Sequence, residues 1–178
     1  MKPIVRDILI TLAAALVIFF GLQATVQNYV IWENCMEPNF YDGQRILVNK
    51  IVYNFHEPER GDVIILQPPP PYDPDATPFI KRIIGLPGET IKILDGEVYI
   101  NEVKLDEPYI KEPPNYAMKY DITENHYFVL GDNRNHANDS HTGWTVPSEN
   151  IIGKAWVTIW PLDKLGLVAT YSFQLSTE

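Results

Sequence analysis

The stretch Phe79-Ile80-Lys81-Arg82-Ile83-Ile84-Gly85-Leu86-Pro87-Gly88-Glu89 sets the reading of this chain. Phe79 to Ile84 is a β-prone run closed by Gly85, Pro87 and Gly88, which supply turn conformations that other residues resist. Two cations interrupt it. Adjacent strand residues face opposite sides, so a buried face carries one cation, and Lys81 shares its face with Phe79 and Ile83. Two readings are open. In the first, the strand is a sheet edge whose lysine blocks pairing with another chain. In the second, the lysine is buried. Desolvation can lower a lysine pKa from ~10.4 by ~3 to 5 units, which makes a buried amine a usable general base. A nucleophile elsewhere in the chain decides between them.

With 178 residues and 46% apolar content, the chain can bury one main core but not two full domains. The formal charge of -9 and the scatter of the 14 Lys and Arg residues argue against a nucleic-acid partner, which needs a basic surface. Fifteen prolines and ten glycines favour short strands and turns over long helices. Strands are predicted over Arg45 to Asn49, Asp62 to Gln67, Glu89 to Leu94, Glu97 to Ile100, Tyr127 to Leu130 and Trp156 to Trp160. The dipeptide Asp95-Gly96 joins two of them as a tight hairpin, and residues 90–125 form a small hairpin and loop subregion. The proline-rich stretches Pro68 to Pro78 and Pro113 to Tyr120 read as loops away from any cleft. The apolar patch Leu165 to Phe173 is too short to cross a bilayer and reads as a terminal strand or a surface-docked segment.

The N-terminus is different material. No charged residue lies between Ile8 and Trp32, and Ile8 to Leu22 is almost wholly apolar and rich in Leu and Ala. Spanning a bilayer takes ~20 residues at 1.5 Å each, so residues 8–26 read as a transmembrane anchor. A cleaved leader is the competing reading, but Leu22 stands where a small residue should precede Ala24. Lys2 and Arg6 against Asp7 place residues 1–7 in the cytoplasm and residues 27–178 outside. Tyr29 and Trp32 then fall at the outer membrane interface, where aromatic rings prefer to sit.

Just beyond lies Trp32-Glu33-Asn34-Cys35-Met36-Glu37-Pro38-Asn39-Phe40, with the chain's single cysteine. One cysteine cannot form an internal disulfide, so Cys35 is either a small buried hydrophobe or a thiol in use. A third stretch, Leu130 to Trp144, crowds short polar side chains after a strand. It reads Leu-Gly-Asp-Asn-Arg-Asn-His-Ala-Asn-Asp-Ser-His-Thr-Gly-Trp.

Taken together, these stretches resemble the type I signal peptidases, family S26, membrane-anchored Ser/Lys proteases that remove signal peptides from exported proteins. The resemblance rests on the N-terminal anchor, Cys35-Met36-Glu37-Pro38, Arg60-Gly61-Asp62-Val63, Lys81 to Glu89, and Gly131-Asp132-Asn133-Arg134 running on to Asp139-Ser140. It implies a mostly β, antiparallel catalytic domain on one N-terminal transmembrane helix, in a bacterial-type plasma membrane. It makes Lys81 the general base and Ser140 the hydroxyl that orients its amine, with Asp132, Arg134 and Asp139 as structural support. The substrates it implies are preproteins with small residues before the cut site, met at the lipid bilayer. No metal or other cofactor is implied, and His136, Asp139 and His141 lack the spacings of a zinc site.

Cys35 stands where the family has its nucleophilic serine. A thiol has an ordinary pKa of ~8.5, below the ~10.4 of a lysine, so a thiolate and ammonium pair can form before attack. Attack on a peptide carbonyl is then feasible. Deacylation needs water activated by a neutral amine, so the same lysine must lose its proton midway. The oxyanion donor in the family is the nucleophile's backbone amide, here that of Cys35, and Glu33 stands where a side-chain donor or glycine is expected. Asn39 and His141 replace a common threonine and a common arginine. Two functions stay open: a peptidase with a thiol nucleophile, and an impaired or Ser-to-Cys engineered form that binds signal peptides without efficient turnover.

Overall fold

The computed structural model describes residues 3–72, 75–171 and 175–176, so Lys2 of the cationic flank and Phe173 of the terminal patch lie outside the described residues. Helix α1 (Pro3–Thr25) holds its backbone hydrogen bonds internally and exposes Ile8, Leu16 and Phe20. It is long and apolar enough to cross a membrane. It ends one residue before the expected boundary, because Val26 already belongs to a strand.

The strands in chain order are β1 (Val26–Val30), β2 (Arg45–Asn49), β3 (Val63–Leu66), β4 (Phe79–Gly85), β5 (Thr90–Leu94), β6 (Glu97–Ile100) and β7 (Val103–Leu105). They continue as β8 (Met118–Asp121), β9 (His126–Leu130), β10 (Val146–Pro147), β11 (Ile151–Trp160), β12 (Gly166–Leu167) and β13 (Leu175–Ser176). The larger sheet has the order β1-β2-β11-β3-β4-β9-β10, with β12 on β11, and the smaller has the order β13-β7-β6-β5-β8. Every pairing is antiparallel, as the mostly β expectation required.

Strand β4 is interior, not an edge. β3 covers one side from Phe79 to Arg82, and β9 pairs on the other only from Arg82 onward. Both faces of β4 are buried, so both cations are. On one face Ile80 packs with Tyr29, Ile31, Cys35, Met36 and Ile65. Further along that face Ile84 packs with Ile91, Ile93 and Phe128, which joins the two sheets. On the other, Ile83 packs with Ile64, Val129 and Val146, with Phe79 against them.

Several expectations change. Tyr29 does not present its ring outward: the chain turns straight from α1 into β1, and Tyr29 becomes an inward residue of that strand, only 9% exposed. Trp32 stays exposed. Part of Pro113 to Tyr120 is strand, since Met118 to Tyr120 pair with β5. Neither proline-rich stretch keeps clear of the catalytic region, as described below. The terminal patch contributes a strand, β12, whose Leu167 remains exposed.

Asp95 and Gly96 both have positive φ, 52° and 81°, the conformation that a two-residue type I′ turn needs. A side chain at Gly96 also meets Pro113 Cβ at 3.2 Å. Gly96→Ala is expected to destabilise the detergent-solubilised protein by about 1 kcal/mol, read from the urea midpoint.

Candidate active site

Cys35 lies in the turn that follows β1, and Lys81 lies two residues into β4. Both are 3% exposed. Lys81 Nζ donates to Cys35 Sγ at 3.1 Å and to the Ile80 carbonyl, in its own strand, at 3.1 Å. The Cys35 thiol points at the same carbonyl, 3.7 Å away. One backbone oxygen thus anchors both reactive groups. The amine also sits 5.1 Å from the Phe79 ring centroid, on the face that the alternation assigned to it.

The thiol opens into a cleft of about 180 Å³ with walls from Tyr29, Trp32, Glu33 and Cys35 on one side and residues 77–81 on the other. Thr77 and Pro78, the end of a proline-rich stretch, are part of it, so that loop does not lie apart from the site. The Tyr29 hydroxyl donates to the Pro78 carbonyl across the cleft. Burial, and then the neighbouring Cys35 and Glu33, push the Tyr29 phenol above its ordinary range, so the ring remains a donor. Glu33 has a φ of 75°, the left-handed conformation that glycine takes without strain, and its side chain is exposed at the cleft wall.

Behind Cys35 runs the loop after β9, tied down by charges. Arg82, next to Lys81 on the opposite face, makes two bonds to the Asp132 carboxylate, Nε to Oδ1 at 2.8 Å and an Nη to Oδ2 at 2.6 Å, and a third to the Gly61 carbonyl at 2.9 Å. Both partners are almost fully buried. Burial opposes the guanidinium charge most strongly, but the hydrogen bonds and charge of Asp132, with Tyr109 and Tyr171, together outweigh it and raise the Arg82 pKa above its ordinary value. The Asn39 amide bridges Asp132 Oδ2 and the Tyr109 carbonyl, 2.8 Å from each, so the departure from threonine has a structural use. Arg134 makes two bonds to Glu107 at 2.6 and 2.7 Å and one to the Gly131 carbonyl. Here too burial opposes the charge and Glu107 more than compensates, holding the Arg134 pKa above its usual range.

Asp139 accepts the Gly131 N–H at 2.9 Å, the His141 N–H at 3.0 Å and the His141 ring at 2.7 Å. The His141 ring stacks on Tyr116, centroids 4.3 Å apart. Asn135 accepts from Asn115 N–H and donates to the Pro113 carbonyl. The second proline-rich stretch therefore packs on the loop after β9.

Ser140 departs from expectation. Its hydroxyl accepts the Val129 N–H at 3.0 Å, beyond the end of β10, which pairs only His126 and Tyr127. It satisfies a strand amide that is otherwise buried without an acceptor. The hydrogen bonds of the Lys81 amine go to Cys35 and Ile80, not to Ser140. Glu107, the Ile80 carbonyl and Tyr29 went unrecognised in the sequence. Glu107 and Tyr29 lie outside every motif, and a backbone carbonyl carries no sequence signal.

Asp132→Asn would leave the buried Arg82 guanidinium without its counter-charge, and it is expected to lower stability by about 3–5 kcal/mol, measured by urea unfolding. Substitution at the exposed pair Lys104–Glu97 should cost little by the same measurement.

Comparison with known proteins places these features in context. The family described as signal peptidase, peptidase S26, matches residues 4–160. Probable signal peptidase I-2 of Synechocystis sp. is 38% identical over 164 residues, 89% of this chain and 74% of that relative. Signal peptidase I of Leptolyngbya laminosa is 40% identical over 163 residues, 88% of this chain and 80% of that relative. The crystal structure of a signal peptidase I from Enterococcus faecalis aligns with a TM-score of 0.49 and 31% identity, covering 56% of this chain and 97% of that one.

Proposed function

We propose that this chain, which belongs to the peptidase S26 family of signal peptidases, cleaves signal peptides from exported preproteins with Cys35 as nucleophile and Lys81 as acid and base. The observation that carries the reading is the 3.1 Å contact between Lys81 Nζ and Cys35 Sγ at the floor of an open cleft. A buried amine held on a buried thiol has no use in packing, since a hydrophobic pair would fill the same space without the desolvation cost.

In acylation, the Cys35 thiolate attacks the scissile carbonyl and the carbonyl π electrons move to its oxygen. The tetrahedral species collapses with loss of the C–N bond, and the Lys81 ammonium gives its proton to the leaving amine. The neutral amine then takes a proton from water as that water attacks the thioester, and C–S cleavage returns the thiolate. The Ile80 carbonyl keeps the amine within reach of sulfur through both steps. Ser140 supports this arrangement through Val129, in the strand beside β4.

An extended substrate fits between the two cleft walls by strand addition. The cleft runs beside residues 77–81, where β9 leaves β4 unpaired before Arg82. The narrow cleft favours small side chains before the cut site. In this reading residues 8–26 anchor the chain in a bacterial-type plasma membrane, residues 1–7 are cytoplasmic and residues 27–178 lie outside, with 90–125 as a subregion. Cleavage sites exposed at the outer membrane surface then meet Cys35, just beyond α1 and β1.

The deciding assay is cleavage of a preprotein with an Ala-x-Ala site by the detergent-solubilised chain. Activity is expected to disappear in Cys35→Ala, in Lys81→Met and after treatment with a thiol alkylator. If the parent chain is silent and Cys35→Ser is active, the chain binds signal peptides on an intact scaffold without turning them over. Glu33→Gly, which relieves the positive φ and removes a carboxylate from the cleft wall, is expected to raise kcat in the same assay.

A further inference from the structure

The geometry points to Asn133 as the residue that aims the oxyanion donor. This inference rests on the peptidase reading above and adds to it a positioning role that the motif comparison does not assign. Asn133 holds the nucleophile turn at two successive peptides. Its side-chain amide donates to the Asn34 carbonyl at 3.0 Å, and its backbone N–H donates to the Cys35 carbonyl at 3.0 Å.

The first of these bonds has a directional consequence. The Asn34–Cys35 peptide is trans, and in a planar trans peptide the carbonyl and the next N–H point in opposite directions. A donor fixed on the Asn34 oxygen therefore turns the Cys35 N–H away from the loop that carries Asn133. Cys35 itself lines the cleft, whose other walls come from Tyr29, Trp32, Glu33 and residues 77–81 and include no residue of that loop, so the side away from the loop is taken as the cleft side. The Cys35 N–H meets no acceptor among the described residues. It is thus a free donor beside the sulfur, where charge develops on the scissile carbonyl oxygen.

The surroundings leave the turn little freedom. A Cβ at Gly131 would stand 2.5 Å from the Cys35 carbonyl oxygen and 2.5 Å from Ala137 Cβ, so the loop backbone lies directly against the nucleophile's own peptide. The His136 N–H donates back to the Asn133 carbonyl at 3.0 Å, and Asp132, one residue earlier, is fixed by Arg82. Asn133 is consequently a rigid support. Lys81 moves the proton, and Asn133 sets where the negative oxygen is received.

A peptide aldehyde ending in Ala-x-Ala tests this, because Cys35 sulfur adds to its carbonyl and leaves a tetrahedral oxyanion without any leaving group. Its affinity is measured for the full chain in detergent and for Cys35→Ala, Asn133→Ala and Asn133→Asp, beside the rate of Cys35 alkylation by iodoacetamide, which develops no oxyanion. Both Asn133 variants are expected to bind the aldehyde about 10- to 100-fold more weakly, with alkylation within about twofold of the parent and substrate KM little changed while kcat falls. Unchanged aldehyde affinity in the Asn133 variants overturns the role of Asn133 and leaves the peptidase reading standing. So does a parallel fall in alkylation, which would make Asn133 a general structural residue. A parent chain that binds the aldehyde no better than Cys35→Ala overturns the thiol-peptidase reading itself, and this inference with it.

Discussion

The buried ion pair between Arg82 and Asp132 is the interaction on which the placement of Lys81 against Cys35 depends. Arg82 follows Lys81 in β4, and Asp132 precedes Asn133 in the loop after β9. One bidentate contact therefore fixes the distance between the strand that carries the Lys81 amine and the loop that backs Cys35. A guanidinium and a carboxylate match in planar geometry, so the contact sets orientation as well as separation. Tyr109, whose ring lies 4.4 Å from the guanidinium, and Asn39 complete the enclosure.

Such pairs are an uncertain source of stability, because desolvation of two charges can exceed their attraction. Their use here is better described as register. Arg60 with Glu89, Arg82 with Asp132, and Arg134 with Glu107 each join segments far apart in sequence. Arg134 with Glu107 ties the catalytic loop to the chain leaving β7, in the second sheet, and Arg60 with Glu89 ties the approach to β3 to the approach to β5. Apolar packing alone tolerates sliding. Buried charges with unique partners do not, since a shifted arrangement leaves a charge unpaired.

The sequence was most readable where the determinants are local. Short β-prone runs gave β2 and β6 to the residue, and Asp95-Gly96 gave the hairpin between β5 and β6. β8 was hidden because Met118-Lys119-Tyr120-Asp121 alternates over only four residues and closes a stretch that opens on two prolines; it is a strand because β5 offers it a partner. The inward packing of Tyr29 was hidden for a related reason. After an apolar helix an aromatic residue suggests a membrane interface, and only the pairing of β1 with β2 turns it inward. The edge reading of β4 could not be settled from one strand, since edges are defined by neighbours.

The candidate site divides in the same way. Residue types and their order, a thiol, an amine in an apolar strand and a polar loop after a third strand, were fixed by the sequence, because chemistry resides in side chains and motif order survives folding. Position was not. That the amine rests on sulfur, that Glu107 neutralises Arg134 and that Asn133 holds two carbonyls of the turn around Cys35 all depend on contacts between residues dozens of positions apart, and that Ser140 serves Val129 depends on how the loop folds back on its strand. Hydrogen-bond partners are selected by distances of a few tenths of an ångström, which no local pattern encodes. The tertiary structure alone set those distances, because the packing of two sheets against one catalytic loop determines which donor reaches which acceptor.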